Sequence, residues 1–188
     1  MGFSYLKNSN WLDITREERF FCSIAYNYFF PKPYDAVKLI DEISNLDLSK
    51  EMINQEWEIG YEVALYRDLL FAYGKSLQGK SNRFRKRTFD LCCFSEDGII
   101  IIEAKAHGGF STEQLKSFKQ DREDILSITG KNIYIKIVPL ISSKYSPKKT
   151  TLGYFDGSSP LTWLDLANKY NDILFKKADE AYRKKVIM

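Results

Sequence analysis

Thr88-Phe89-Asp90-Leu91-Cys92-Cys93-Phe94-Ser95-Glu96-Asp97-Gly98-Ile99-Ile100-Ile101-Ile102-Glu103-Ala104-Lys105 is the stretch that decides the fold. Asp97-Gly98 is a strong hairpin-turn dipeptide. The four isoleucines after it show no polar alternation, which reads as a central strand buried on both faces. The apolar run before it, roughly Arg85 to Ser95, reads as the first arm of the hairpin. Period two puts Glu103 and Lys105 on the same sheet face. Two registers bring Asp90 to them. A loop made of Asp97-Gly98 sets Asp90 opposite Lys105 and Cys92 opposite Glu103, whereas a loop made of Glu96-Asp97 sets Asp90 opposite Glu103. Opposed or diagonal neighbours lie about 4.5–8 Å apart, and a slip of one residue would break the cluster.

Strands often end in ordinary surface charges, and that is the plain reading of Glu103 and Lys105. Two converging carboxylates, however, repel unless a cation or a lysine compensates them. Their hard oxygens suit Mg2+ or Mn2+.

Upstream, three helices are expected. Thr15 would cap the first, with Glu18 completing a capping box, and the helix would run to about Phe30 and stop at Pro31. A second follows Pro33, with Val37, Ile40 and Ile43 as its apolar face. A third would run from Ser49 to Tyr73 and end at Gly74. At about 100° per residue, Ile59, Val63, Leu65, Tyr66, Leu69, Leu70 and Tyr73 form one arc. Glu62 lies near the middle of that arc and Glu58 lies inside it. A carboxylate in an apolar face needs a partner or a metal. Glu62 is thus a candidate extra ligand or water-orienting group, with Glu58 in reserve; an edge-lying Glu62 paired with Arg85 or Arg87 is the plainer alternative.

Downstream, Ser111 or Thr112 caps a fourth helix ending near Gly130. Ile133 to Ile141 reads as a strand, a short strand is expected near Tyr154, and Thr162 caps a last helix through Phe175. The order α-α-α-β-β-α-β-β-α, without repeats, predicts a mixed sheet with helices on both faces.

The 188 residues suit one domain, and 44% apolar content is enough for a core. Net charge is only +3, so nucleic-acid contact would need local patches. The basic clusters are Arg83, Arg85, Lys86 and Arg87; Lys116 and Lys119; Lys144, Lys148 and Lys149; and Arg183, Lys184 and Lys185. Three cysteines without CxxC spacing argue against a disulfide framework and a zinc site. No signal peptide or membrane-spanning run is visible, so cytoplasmic residence is the default expectation. His107, the one histidine, reads as a bystander.

Asp-x12-Glu-x-Lys on a β-hairpin, after a Glu-bearing helix and before another helix, resembles the PD-(D/E)XK nucleases, over about residues 50 to 140. The resemblance implies a restriction-endonuclease-like α/β fold: a central mixed sheet flanked by helices in residues 49–188, with residues 1–48 as an N-terminal helical extension packed on it. It implies a divalent-metal-dependent nuclease acting on DNA, RNA not excluded, in restriction, repair or defence, and a homodimer as one partner arrangement. By analogy Asp90 and Glu103 would be metal ligands, Lys105 the catalytic lysine and Glu62 the core-helix acid and third ligand. Phe89 stands where the family's name-giving proline would stand. Gln114-Leu115-Lys116-Ser117-Phe118 resembles the Gln-x-x-x-Tyr element of exonuclease-like branches, with Phe in place of Tyr, which makes Gln114 a further site residue. Arg85, Arg87, Lys116 and Lys119 are the residues expected to meet phosphates. The rival expectation is a catalytically inactive nucleic-acid-binding or protein-interaction module that keeps the fold.

Overall fold

The structure, a computed structural model, describes residues 3–76 and 87–182. Its helices are α1 (Trp11–Ile14), α2 (Glu18–Phe29), α3 (Pro33–Ser44), α4 (Lys50–Ile53), α5 (Leu65–Ala72), α6 (Thr112–Thr129), α7 (Lys149–Leu152), α8 (Trp163–Tyr170) and α9 (Ile173–Ala181). Five strands, β1 (Glu58–Val63), β2 (Phe89–Phe94), β3 (Gly98–Ala104), β4 (Tyr134–Ile141) and β5 (Leu161–Thr162), form one sheet in sequence order. β1, β2 and β3 make an antiparallel meander. α6 then crosses over, and β4 and β5 are added in parallel. The protein is thus α/β, with a mixed sheet flanked by helices.

β3 is the middle strand and is buried at every position, as its unbroken isoleucines require. Ile100 and Ile102 join the larger core with Phe21, Cys22, Phe29, Ile40, Trp163 and Phe175. That core draws on α2 and α3 as well as α8 and α9, so the segment from Phe20 to Leu48 shares it with the sheet. Ile99 and Ile101 face the other way, against Tyr66, Leu70, Phe118 and Ile125 of α5 and α6. All three cysteines are free and buried. Among the described residues, no helix is long and apolar enough to cross a membrane.

The expected helix from Ser49 to Tyr73 does not exist. Its span holds α4, β1 and α5. The apolar positions fit a helical period, but Ile59, Tyr61 and Val63 are β-formers, and Gly60 weakens a helix by about 1 kcal/mol against alanine. Pairing with β2 decides the outcome. Gly60 is there for closeness: a Cβ would lie 2.5 Å from Val63 Cγ2 and 3.2 Å from Phe94.

Other expectations change in detail. Thr15 ends α1 rather than capping α2, whose N-cap is Glu17 without a capping box. The strand expected near Tyr154 is a 3-10 turn, Gly153–Phe155. The last helix is two, because Asn171 adopts a left-handed conformation at the end of α8. Thr162 does cap α8, in a reciprocal capping box with Asp165. Ser111 caps α6, and Gly130 ends it in the left-handed region.

Candidate active site

The hairpin takes the register with a Glu96-Asp97 loop. Leu91 pairs with Ile102 and Phe94 with Ile99, and Ser95 N–H donates to the Gly98 carbonyl at 2.9 Å. The same register sets Asp90 opposite Glu103, just past the last Leu91–Ile102 pair. Here the ladder opens. In place of a backbone carbonyl, Asp90 Oδ2 accepts the Ala104 N–H at 2.7 Å.

A twist on the neighbouring strand explains the opening. β1 and β2 pair at Tyr61–Leu91 and again at Val63–Phe89, with Glu62 between them at φ +51°. That left-handed conformation is unfavourable for a non-glycine residue and costs on the order of 1 kcal/mol. It turns the strands over: Tyr61 and Leu91 pack in the larger core, whereas Val63 and Phe89 pack in the smaller one. Asp90 sits at the turnover.

Glu103 is 5% exposed. Gln114 Nε2, from the first turn of α6, donates a short hydrogen bond to its Oε1. Its Oε2 is buried without a hydrogen bond and lies 3.8 Å from a terminal nitrogen of Arg87. Burial, reinforced by the Asp90 charge, pushes the Glu103 carboxyl up to about 7, against the opposing pull of Arg87, Lys105 and the Gln114 hydrogen bond. Burial also raises Asp90, partly offset by its hydrogen bond from Ala104 and by Lys105.

Lys105 completes the group. Its backbone N–H donates to the Leu140 carbonyl at 2.7 Å, and its carbonyl accepts from the Trp163 indole at 3.1 Å. The ammonium lies 3.4 Å from Glu18 Oε2 and 2.7 Å from the Ala104 carbonyl, with the Phe110 ring centroid 5.6 Å away. The same Glu18 oxygen accepts the Ala106 N–H at 3.1 Å.

Sequence reasoning missed Glu18 as a site residue. The sequence expects it to complete a capping box, yet it is the carboxylate that α2 brings to Lys105. The available signal was its position as the first residue of an apolar helix. Glu62 is on β1, not on a helix, so the helical phase expected for it does not apply. Its carboxylate pairs with Arg19 at 3.4 Å. It remains close enough for Asp90 to help raise its pKa, with burial the larger cause. Glu58 pairs with Phe94 at the other end of the strand and takes no part in the site.

The expected phosphate contacts divide. Arg85 lies outside the described residues, as do Arg83, Lys86, Arg183, Lys184 and Lys185. Arg87 is turned inward, its side chain 17% exposed. Lys116 and Lys119 are exposed on α6. His107 is exposed beside the site, with no part in these contacts.

What the fold and site define is an α/β protein with two opposed, desolvated carboxylates and a tethered lysine where its central strands part. No family model matches the chain, and neither a curated protein nor a solved structure does.

Proposed function

We propose that the protein is a divalent-metal-dependent nuclease of the PD-(D/E)XK kind, hydrolysing DNA phosphodiester bonds. The observation that carries this reading is Asp90 opposite Glu103 at the opening of the β2–β3 ladder, with Lys105 two residues further on. The antiparallel meander followed by a helical crossover to a parallel strand is compatible with a restriction-endonuclease-like fold.

The donor set fits Mg2+ or Mn2+. Asp90 and Glu103 offer hard oxygens, and Glu103 Oε2 is a buried carboxylate oxygen without a hydrogen bond. Among the described residues, no group of three or more His, Cys, Asp or Glu could hold a metal. Asp90 and Glu103 would therefore hold the ion alone among the side chains, with water, a backbone carbonyl or phosphate oxygens filling its remaining positions. A bound divalent ion supplies neutralisation of the phosphate and acidification of water. Gln114 fixes one oxygen of Glu103 and leaves the other to the ligand. Lys105, steadied by Glu18, orients the attacking water or stabilises charge on the phosphate as it is attacked.

One observation favours a second reading, a non-catalytic binding module: the site's cations are already engaged within the chain, Arg87 by Glu103 and Asp121, and Lys105 by Glu18. The deciding experiment incubates the protein with plasmid, linear, single-stranded and RNA substrates in Mg2+ or Mn2+, with a chelator control. Cleavage that requires the metal and is lost in Asp90→Asn supports the nuclease. Salt-dependent binding with no cleavage of any substrate supports the module.

A further inference from the structure

We propose that Arg87 is a positioning residue held back by Asp121, so that it balances the charge of Glu103 while leaving Oε2 open to a cation. This rests on the metal reading above. Arg87 stands two residues before the start of β2, with its guanidinium carbon 4.7 Å from the Phe89 ring centroid and 5.5 Å from that of Phe118. One terminal nitrogen lies 3.2 Å from Asp121 Oδ2 and 3.8 Å from Glu103 Oε2. Asp121 is fully buried on α6, and its other oxygen accepts the Tyr66 hydroxyl from α5.

The two distances differ in kind. The first is a hydrogen bond, and the second is an ion pair too long to be one. A cation at that range lowers the cost of a buried carboxylate without using its lone pairs. Arg87 has donors to spare, since its buried Nε makes no hydrogen bond. Freed from Asp121, it would close on Glu103 to the usual charge-assisted distance of about 2.8 Å. It would then compete with any metal for Oε2. Tyr66 and Asp121 thus act on Glu103 through Arg87.

The test is Mn2+ affinity of the full chain, measured by titration calorimetry, with thermal stability recorded alongside. Glu103→Gln should lose Mn2+ binding. Asp121→Asn should weaken it about tenfold or more, and adding Arg87→Gln to Asp121→Asn should restore much of it, because the competitor is gone. A purely structural Asp121 would lower stability in both variants and restore nothing; that result overturns the inference, as does unchanged affinity in Asp121→Asn. If Asp121→Asn does not fold, Tyr66→Phe removes one of the bonds that orient Asp121 and should weaken Mn2+ a few-fold; no change there also overturns it. Wild-type protein that binds no Mn2+ refutes the metal reading and this inference with it, whereas wild-type binding with unaffected variants refutes this inference alone.

Discussion

Asp90 stands opposite Glu103 at the point where β2 and β3 separate, and its carboxylate caps the Ala104 N–H that the departing strand no longer serves. This gives the aspartate two tasks, one structural and one chemical. Asp90→Asn separates them, because the amide oxygen can still accept from Ala104 while one ligand charge is lost. The folded state should survive, and relief of repulsion with Glu103 works in its favour. Mg2+ affinity should fall, and cleavage should drop by at least a hundredfold. Wild-type cleavage by this variant would refute the active site.

Lys105 and Glu18 form a pair whose members differ in what they do. Lys105→Ala removes a cation, not a ligand, so most metal affinity should remain while cleavage collapses. Glu18→Gln keeps an acceptor for Ala106 N–H but removes the charge that steadies the lysine. A smaller loss is expected, in kcat more than in KM. If Glu18→Gln cuts at the wild-type rate, Glu18 only anchors the start of α2.

The raised Glu103 carboxyl makes metal-free stability depend on pH. An acid whose folded pKa lies above its unfolded one contributes stability below the unfolded value, and that stability is lost as pH rises through the folded value. With an ordinary value of 4.5 and a folded value of about 7, stability without metal should fall by roughly 3 kcal/mol across that window. Glu103→Gln should flatten this part of the profile. Saturating Mg2+ should restore stability near neutral pH. A metal-free wild-type profile as flat as that of Glu103→Gln would show that the carboxyl titrates normally.

The parts of this fold that were readable from sequence are those fixed by nearby residues. The Asp97-Gly98 signal and the isoleucine run mark the hairpin without reference to anything distant, although the loop itself is Glu96-Asp97 and Gly98 opens β3, and the Ser111 cap and Gly130 stop define α6. β1 was not readable in this way, because its apolar spacing also satisfies a helix and only pairing with β2 chooses between them. The helical alternative puts Glu62 on a helix, whereas the helical carboxylate at the site is Glu18. Glu18 meets Lys105 across 87 residues, a contact no local pattern reports. Arg87 failed for a related reason. A run of arginine and lysine reads as a solvated patch, yet Phe89, Phe118 and Asp121 enclose its last member.

Lys116 and Lys119 remain as the exposed cations on the helix that carries Gln114, and their placement limits what they can do. Relative to Gln114 they lie about 3 and 8 Å further along the axis. At 100° per residue they are turned roughly 160° and 140° away from it. They cannot reach the bond being cut if Gln114 faces Glu103, so they should serve phosphates on the flank of the substrate. Replacing both with alanine should therefore raise KM and leave kcat nearly unchanged. Without divalent metal, so that nothing is cut, duplex affinity should be measured by fluorescence anisotropy across a range of salt. Each lysine that meets a phosphate contributes about 0.9 to the slope of log affinity against log salt. The double variant should lose close to 2 from that slope, by similar amounts on unrelated sequences. An unchanged slope would place the phosphate path elsewhere, and a fall in kcat with KM intact would mean that α6 approaches the substrate from its other side.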